Sequence, residues 1–219
     1  MEELKTQHSC DDTTYQILDV SIDGVDAFYQ NLEKDNVCNY FIHLGVSGAA
    51  TCFNLETCGY NCDDFRVPDE SGNQPCKECI VVERELNSSL STSLNLADMK
   101  RKLAKAVDAG TAAGATTGTG NTMDGGQGQT DHTDVCISTD PGRFLCNHVY
   151  YRSLSHCLAL QNTGTSVGDS DATTGGLRSR STALFVHVPP VEVIPLKTQL
   201  DFVLRLLQWV KDQARESLA

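Results

Sequence analysis

Ten cysteines and six histidines are the side chains best able to do chemistry in this 219-residue chain. Cys146 stands in VCISTDPGRFLCNHVYY, where a strand ends at Ser138, the Asp140-Pro141-Gly142 turn breaks the chain, and Phe144 to Leu158 predicts a helix. A thiol at a helix start faces the partial positive charge of unpaired N–H groups. That field favours thiolate over thiol, and the same groups can hold a developing oxyanion. The plainer reading of Cys146 is a small buried apolar side chain. A thiolate nucleophile also wants an imidazole within hydrogen-bond reach and a third group to orient the ring. His148, two positions from Cys146, faces another side of a helix and is expected at the surface. His43 and His187 both fall on strands. Only His187 ends a strand that meets Pro189-Pro190 at once, which puts it at a sheet edge where loops assemble sites. The alternative for His187 is a hydrogen-bonded core histidine.

The elements that must position these residues alternate along the chain. Tyr15 to Val20 and Tyr40 to Gly45 are short β-prone runs, with Val25, Phe28 and Leu32 between them at helical spacing, a βαβ pattern. Thr51 to Thr57, Val135 to Ser138 and Ala183 to Val188 add strands, the last apolar on both faces as in a strand between helix layers. Leu96, Met99, Leu103 and Val107 mark one helix. Leu200, Val203, Leu204, Leu207 and Val210 mark another, with Lys211 and Arg215 near its negative end. Core packing accounts for both stripes. An α/β fold follows, a three-layer α/β/α sandwich around a mostly parallel, twisted central sheet.

Two stretches do not fit that alternation. Residues 110–134 contain Met123 as their only large apolar side chain, and residues 161–182 hold only Val167 and Leu177. Both are read as flexible low-complexity insertions in a single domain spanning 1–219, because such composition cannot offset the entropy of ordering. The net charge of −12 disfavours nucleic acid and anionic membrane surfaces, and is compatible with a soluble homo-oligomer. No run of about 18 apolar residues is present. Met1-Glu2-Glu3-Leu4-Lys5 lacks the charge of a secretory leader, so the cysteines are expected as reduced thiols and the location as cytoplasmic. A different class of function is open as well. Cys58, Cys62, Cys76 and Cys79 form two close pairs that could wrap zinc in a stapled binding module.

Three blocks carry a resemblance. GVSGAATCFNLETCGYNCDDFRVPDESGNQP (Gly45 to Pro75), ISTDPGRFLCN (Ile137 to Asn147) and ALFVHVPP (Ala183 to Pro190) together resemble pyroglutamyl peptidase I, also called pyrrolidone-carboxylate peptidase. The resemblance covers nearly all of the chain outside the two low-complexity stretches. It implies a cysteine-type omega peptidase without cofactor or metal, which removes an N-terminal pyroglutamyl residue from small peptides by thiol acyl transfer. The positions matching its triad are Glu56 in LETCGYN, Cys146 in GRFLC and His187 in FVHVP. Those matching its substrate pocket are Gln74 in GNQP and Phe144-Leu145 beside the thiol. Taken alone, Glu56 reads as a solvated carboxylate at a strand end, and Gln74 as a loop amide after Ser71-Gly72. A pyroglutamyl ring is a neutral lactam with an apolar back, so its pocket needs apolar walls and a few polar groups, and Gln74 can both donate and accept.

The departures from the family are specific. The family opens on a strand bearing Gly-Phe-x-Pro-Phe-Gly, whose aromatics wall the pocket, followed by an Asn-Pro-Ser-like element; neither motif occurs here, and Met1-Glu2-Glu3-Leu4 resembles the helix that would follow. An internal start or an incomplete gene model is the expectation, with a truncated non-catalytic relative as the alternative outcome. Thr57 stands where the family usually has a basic residue, and Pro141 where it usually has Ala.

Overall fold

The structure, a computed structural model, describes residues 13–32, 40–111, 135–163 and 181–216. In chain order its elements are α1 (Ile22–Asn31), β1 (Tyr40–Val46), β2 (Phe53–Glu56), β3 (Cys58–Tyr60), β4 (Asp63–Asp64), β5 (Cys76–Glu78), β6 (Ser89–Ser91), α2 (Leu96–Thr111), β7 (Val135–Ser138), α3 (Leu145–Thr163), β8 (Thr182–Val188) and α4 (Leu196–Glu216). Four strands form the central sheet in the order β1-β8-β2-β7. β8 lies parallel to β1 and antiparallel to β2, and β2 lies parallel to β7, so the sheet is mixed and mostly parallel.

β8 is buried at every position, which is what its apolar run requires of a strand covered on both faces. Alternation then sorts its side chains. Ala183 and Phe185 pack with Val25 of α1 and with Val149, Tyr150 and Leu154 of α3. Leu184, Val186 and Val188 point the other way, into a larger cluster with Met99 and Leu103 of α2 and Phe202, Leu206 and Trp209 of α4. The α/β/α layering follows from that division. Phe53 of β2 and Phe202 stack with ring centres 3.8 Å apart in the larger cluster; truncating a buried ring of this kind to Ala typically costs about 3 to 5 kcal/mol. Two small antiparallel pairs, β3 with β6 and β4 with β5, lie beside the main sheet.

Several expectations change. Tyr15 to Val20 is not a strand, so the βαβ unit lacks its first member among the described residues. The end of this segment is drawn into the cap of α1 instead: Val20 O accepts from Glu70 N, Ser21 Oγ accepts from Gly24 N at 3.0 Å, and Asp69 Oδ2 accepts from Ile22 N at 2.8 Å. The helix expected over Phe144 to Leu158 is Leu145–Thr163, because Ala159-Leu160-Gln161 continue it with good helix formers. α2 reaches Thr111, α3 reaches Thr163 and β8 begins at Thr182, so the two low-complexity stretches are shorter than composition suggested, and their remainders, 112–134 and 164–180, lie outside the described residues. His187 lies at the C-terminal end of β8, one residue before the strand stops, on a strand set between β1 and β2. Not all the thiols are free. Cys52 and Cys136 are paired as a disulfide, brought to a Cα separation of 6.3 Å by the β2–β7 register that sets Asn54 opposite Cys136. Among the described residues no helix is long and apolar enough to cross a membrane.

Candidate active site

The register between β2 and β8 places Asn54 opposite His187 and Glu56 opposite Phe185. All four side chains therefore share one face, the face on which α3 packs, and Glu56 and His187 are diagonal neighbours across the strand pair. His187 Nδ1 donates to Glu56 Oε1 at 2.7 Å. Glu56 is 1% exposed, so the solvated-carboxylate reading fails. Its carbonyl accepts from the Tyr150 hydroxyl of α3 at 2.8 Å, tying the strand to the helix that carries the thiol.

Cys146 is delivered by a turn with a fixed heading. Gly142 has φ of 80°, a conformation open to glycine, and Asp140 Oδ1 accepts from Gly142 N at 3.0 Å and from Arg143 Nη1 at 2.7 Å. The Arg143 guanidinium lies 4.0 Å over the Tyr60 ring, and its carbonyl accepts from Asp64 N at 3.0 Å. The first backbone bond of α3 runs from His148 N to Phe144 O at 3.1 Å. The N–H groups of Leu145, Cys146 and Asn147 consequently have no acceptor within the helix and are available to an anion. Gly45 of β1, opposite His187 in the ladder, makes room for the thiol: a Cβ there would lie 3.3 Å from Cys146 Sγ and 2.7 Å from Phe185 Cζ.

The imidazole is the electrostatic centre of this arrangement. Burial alone would lower the His187 pKa, but hydrogen bonds to Cys146 and Glu56, together with their charges, overcome it and raise the value to about 9. Glu56 Oε2 is buried without a hydrogen-bond partner among the described residues, so the carboxylate has the imidazolium as its main compensation. The structure thus brings Glu56, Cys146 and His187 together from three separate elements.

Of the expected pocket residues, Phe144 and Leu145 precede Cys146 in sequence, and Gln74 reaches Phe144 through Phe65. Gln74 donates Nε2 to Phe65 O at 3.2 Å, and the Phe65 ring packs against Phe144 with centres 4.5 Å apart. Leu145 is buried. The Asp69 carboxylate shapes the loop before Gln74 by accepting from Ser71 N and Asn73 N at 3.0 and 2.8 Å. A groove of about 420 Å³ between α1, α3 and the loop at Val81 shares no residue with the triad.

The chain is similar to proteins of known name. No family model matches the chain. A pyrrolidone-carboxylate peptidase of Fusobacterium nucleatum is 27% identical over 131 residues, 60% of this chain and 47% of that one. Pyroglutamyl-peptidase 1 of Rattus norvegicus is 27% identical over 151 residues, 68% of this chain and 49% of that one. The chain is a homologue of the pyrrolidone-carboxylate peptidases. It spans about half the length of these curated relatives. The crystal structure of pyrrolidone carboxyl peptidase from Fervidobacterium islandicum AW-1 superposes with a TM-score of 0.63, covering 96% of this chain and 88% of that one. At 19% identity that likeness speaks to the fold, which is the α/β fold of these peptidases.

Other expectations about reactive residues are corrected by the same coordinates. Cys58 and Cys62 are buried, Cys76 is exposed and Cys79 half-buried, and no group of three or more His, Cys, Asp or Glu side chains converges to hold a metal among the described residues. The zinc-stapled reading is therefore set aside. His148 is buried rather than at the surface, with Nδ1 donating to Asp63 Oδ2 at 2.7 Å. Asn147, a residue the sequence pattern does not single out, is fully buried: its Oδ1 accepts from Tyr60 N at 2.8 Å while Nδ2 donates to Tyr60 O and Cys62 O, clamping β3 to the turn that holds the thiol. The signal for both was the run LCNHVYY, apolar on successive positions rather than at helical spacing, which marks a helix buried nearly all round and leaves no wet face for His148.

Proposed function

We propose that this chain is a cysteine peptidase that removes an N-terminal pyroglutamyl residue from peptides, with Cys146 as nucleophile, His187 as acid and base, and Glu56 as orienting carboxylate. Gln74, Phe144 and Leu145 surround the pyroglutamyl ring in this reading. One observation carries it: an imidazole hydrogen-bonded to a buried carboxylate also interacts with the thiol that opens a helix.

The chemistry follows from the proton positions. Nδ1 of His187 is committed to Glu56, so Nε2 is the nitrogen that exchanges a proton with the thiol. The Cys146 thiolate attacks the carbonyl that joins pyroglutamate to the next residue, and the oxyanion is held by N–H groups of the first turn of α3. The C–N bond breaks as the imidazolium protonates the leaving amine, giving a thioester and neutral His187. Water, deprotonated by His187, cleaves the thioester; the thiolate departs, the imidazolium keeps the proton taken from water, and the thiolate–imidazolium pair is restored as pyroglutamic acid leaves. A lactam ring arrives uncharged, whereas a free α-amino terminus would have to shed its hydration to enter the same apolar surroundings.

The test is release of a fluorophore from a pyroglutamyl amide, run beside iodoacetamide labelling at neutral pH. Wild-type protein should turn the substrate over, Cys146→Ser should abolish turnover, and Cys146 should be alkylated before the other cysteines. Full activity in the Ser variant overturns the reading. No turnover in wild type, with Cys146 still labelled first, identifies a non-catalytic relative.

A further inference from the structure

Two residues beyond the thiol, a histidine with no part in the mechanism sits among charged groups. His148 is 3% exposed and bridges separate elements: Nδ1 donates to Asp63 Oδ2 of β4 at 2.7 Å, and Nε2 lies 3.7 Å from Asp26 Oδ1 of α1. Arg152, one turn further along α3, places Nε 2.9 Å from the same Asp26 oxygen. Asp63 is itself 4% exposed. We propose that His148 is a positioning residue, a latch that holds β4 and α1 against the first turn of α3 and so fixes the wall on which the substrate ring rests.

The path from latch to wall is short. Asp63 is two residues from Phe65, whose ring meets Phe144 and whose carbonyl takes the Gln74 amide. Asp64 N is bonded to Arg143 O, and Phe65 N to Pro75 O at 2.9 Å. If the imidazole is neutral, Asp63 and Asp26 repel each other with Arg152 as the nearby cation, and Glu78 of β5 adds a further negative charge near Asp63. Charged, it is hydrogen-bonded to Asp63 and within ion-pair range of Asp26. Burial by itself would lower the His148 pKa, but the hydrogen bonds and charges of Asp26 and Asp63 outweigh it, and the value moves up. Because the folded value is raised, the latch contributes fully below the ordinary histidine pKa and is lost as pH rises through the raised one.

The catalytic consequence rests on the peptidase reading; the stability consequence rests on the buried contacts alone. The experiment therefore has two arms, on full-length wild type, His148→Gln and, should that variant fold poorly, Asp26→Asn, whose side chain is 35% exposed and more tolerant of change. In the first arm, Tm is followed from pH 6 to pH 10, a range that begins just below the ordinary histidine value of about 6.5. Wild type should lose several degrees more than His148→Gln across the alkaline half. Parallel curves overturn the latch. In the second arm, KM for a pyroglutamyl amide should rise about tenfold in the variant while kcat stays within about twofold, the pattern of lost ground-state positioning. KM of wild type should climb toward the variant's value at alkaline pH. An unchanged KM overturns the proposed link to the ring-binding wall. If wild type shows no turnover at all, the peptidase reading has failed, and the melting curves alone decide the latch.

Discussion

His43 and His187 lie on adjacent strands, face the same side of the sheet and flank the same phenylalanine. His43 stacks over Phe185 with ring centres 6.3 Å apart, and His187 meets the same ring at 4.8 Å in a tilted arrangement. Their protonation diverges nonetheless. Enclosure of the His43 ring pushes its pKa down to about 4, and its hydrogen-bond partners are hydroxyls, Ser153 Oγ at 3.0 Å and Tyr29 OH at 3.4 Å. His187 is raised to about 9 despite burial, because a thiol and a carboxylate sit on its ring. Desolvation lowers both rings, and only His187 has a thiol and a carboxylate beside it to reverse the effect. One strand step therefore separates a structural imidazole from a working one.

The strongest way to break that contrast is to neutralise the carboxylate. Glu56→Gln keeps the shape but removes the charge, and turnover should fall by a factor on the order of 10³ to 10⁴, as when a triad carboxylate is replaced elsewhere. The His187 pKa should drop at the same time, moving the alkaline limb of the pH–rate profile to lower pH. Unchanged turnover would return Glu56 to a structural role.

A smaller effect is expected from Gly45→Ala, which alters neither histidine. The new Cβ would meet Phe185 Cζ at 2.7 Å and Cys146 Sγ at 3.3 Å, so the ring between the two histidines and the thiol must both shift. Misplacing a reacting atom by a fraction of an ångström should lower kcat roughly ten- to a hundredfold, with slower alkylation of Cys146. Equal alkylation rates in the two proteins would show that the cleft absorbs the methyl group.

The least catalytic change belongs to the neutral histidine. His43→Asn strands the Ser153 and Tyr29 hydroxyls and should cost about 1 to 3 kcal/mol of stability by denaturant titration, while leaving the pH–rate profile in place. A displaced profile would mean that the two histidines are electrostatically joined through Phe185.

Local pattern was enough for much of this. The apolar run around His187, the Pro-Gly turn before Cys146 and the helical stripes at Leu96 and Leu200 are short-range signals, and the elements they announce are present. Glu56 needed the family resemblance, because burial of a single carboxylate depends on which strand pairs with which, and no spacing encodes that. Register was equally silent about Cys52 and Cys136, which are 84 residues apart in sequence. Tyr15 to Val20 has the composition of a strand but runs into the cap of α1. The burial of His148 is hidden for a different reason: helical spacing from Cys146 says nothing of exposure when α3 is enclosed by β3, β4 and α1 as well as by the sheet.

The Tyr150 hydroxyl that holds the Glu56 carbonyl stands four residues from Cys146, a separation of about 6 Å along one helix face. The helix thus works as a ruler, setting the distance from thiol to acid within a single rigid piece of backbone. Such a ruler does not register how much chain lies between β2 and α3, or between α3 and β8. Segments there can lengthen, shrink or be rewritten over many generations, and the spacing survives as long as three elements stay docked. A site built this way can be inherited while most of the sequence around it drifts.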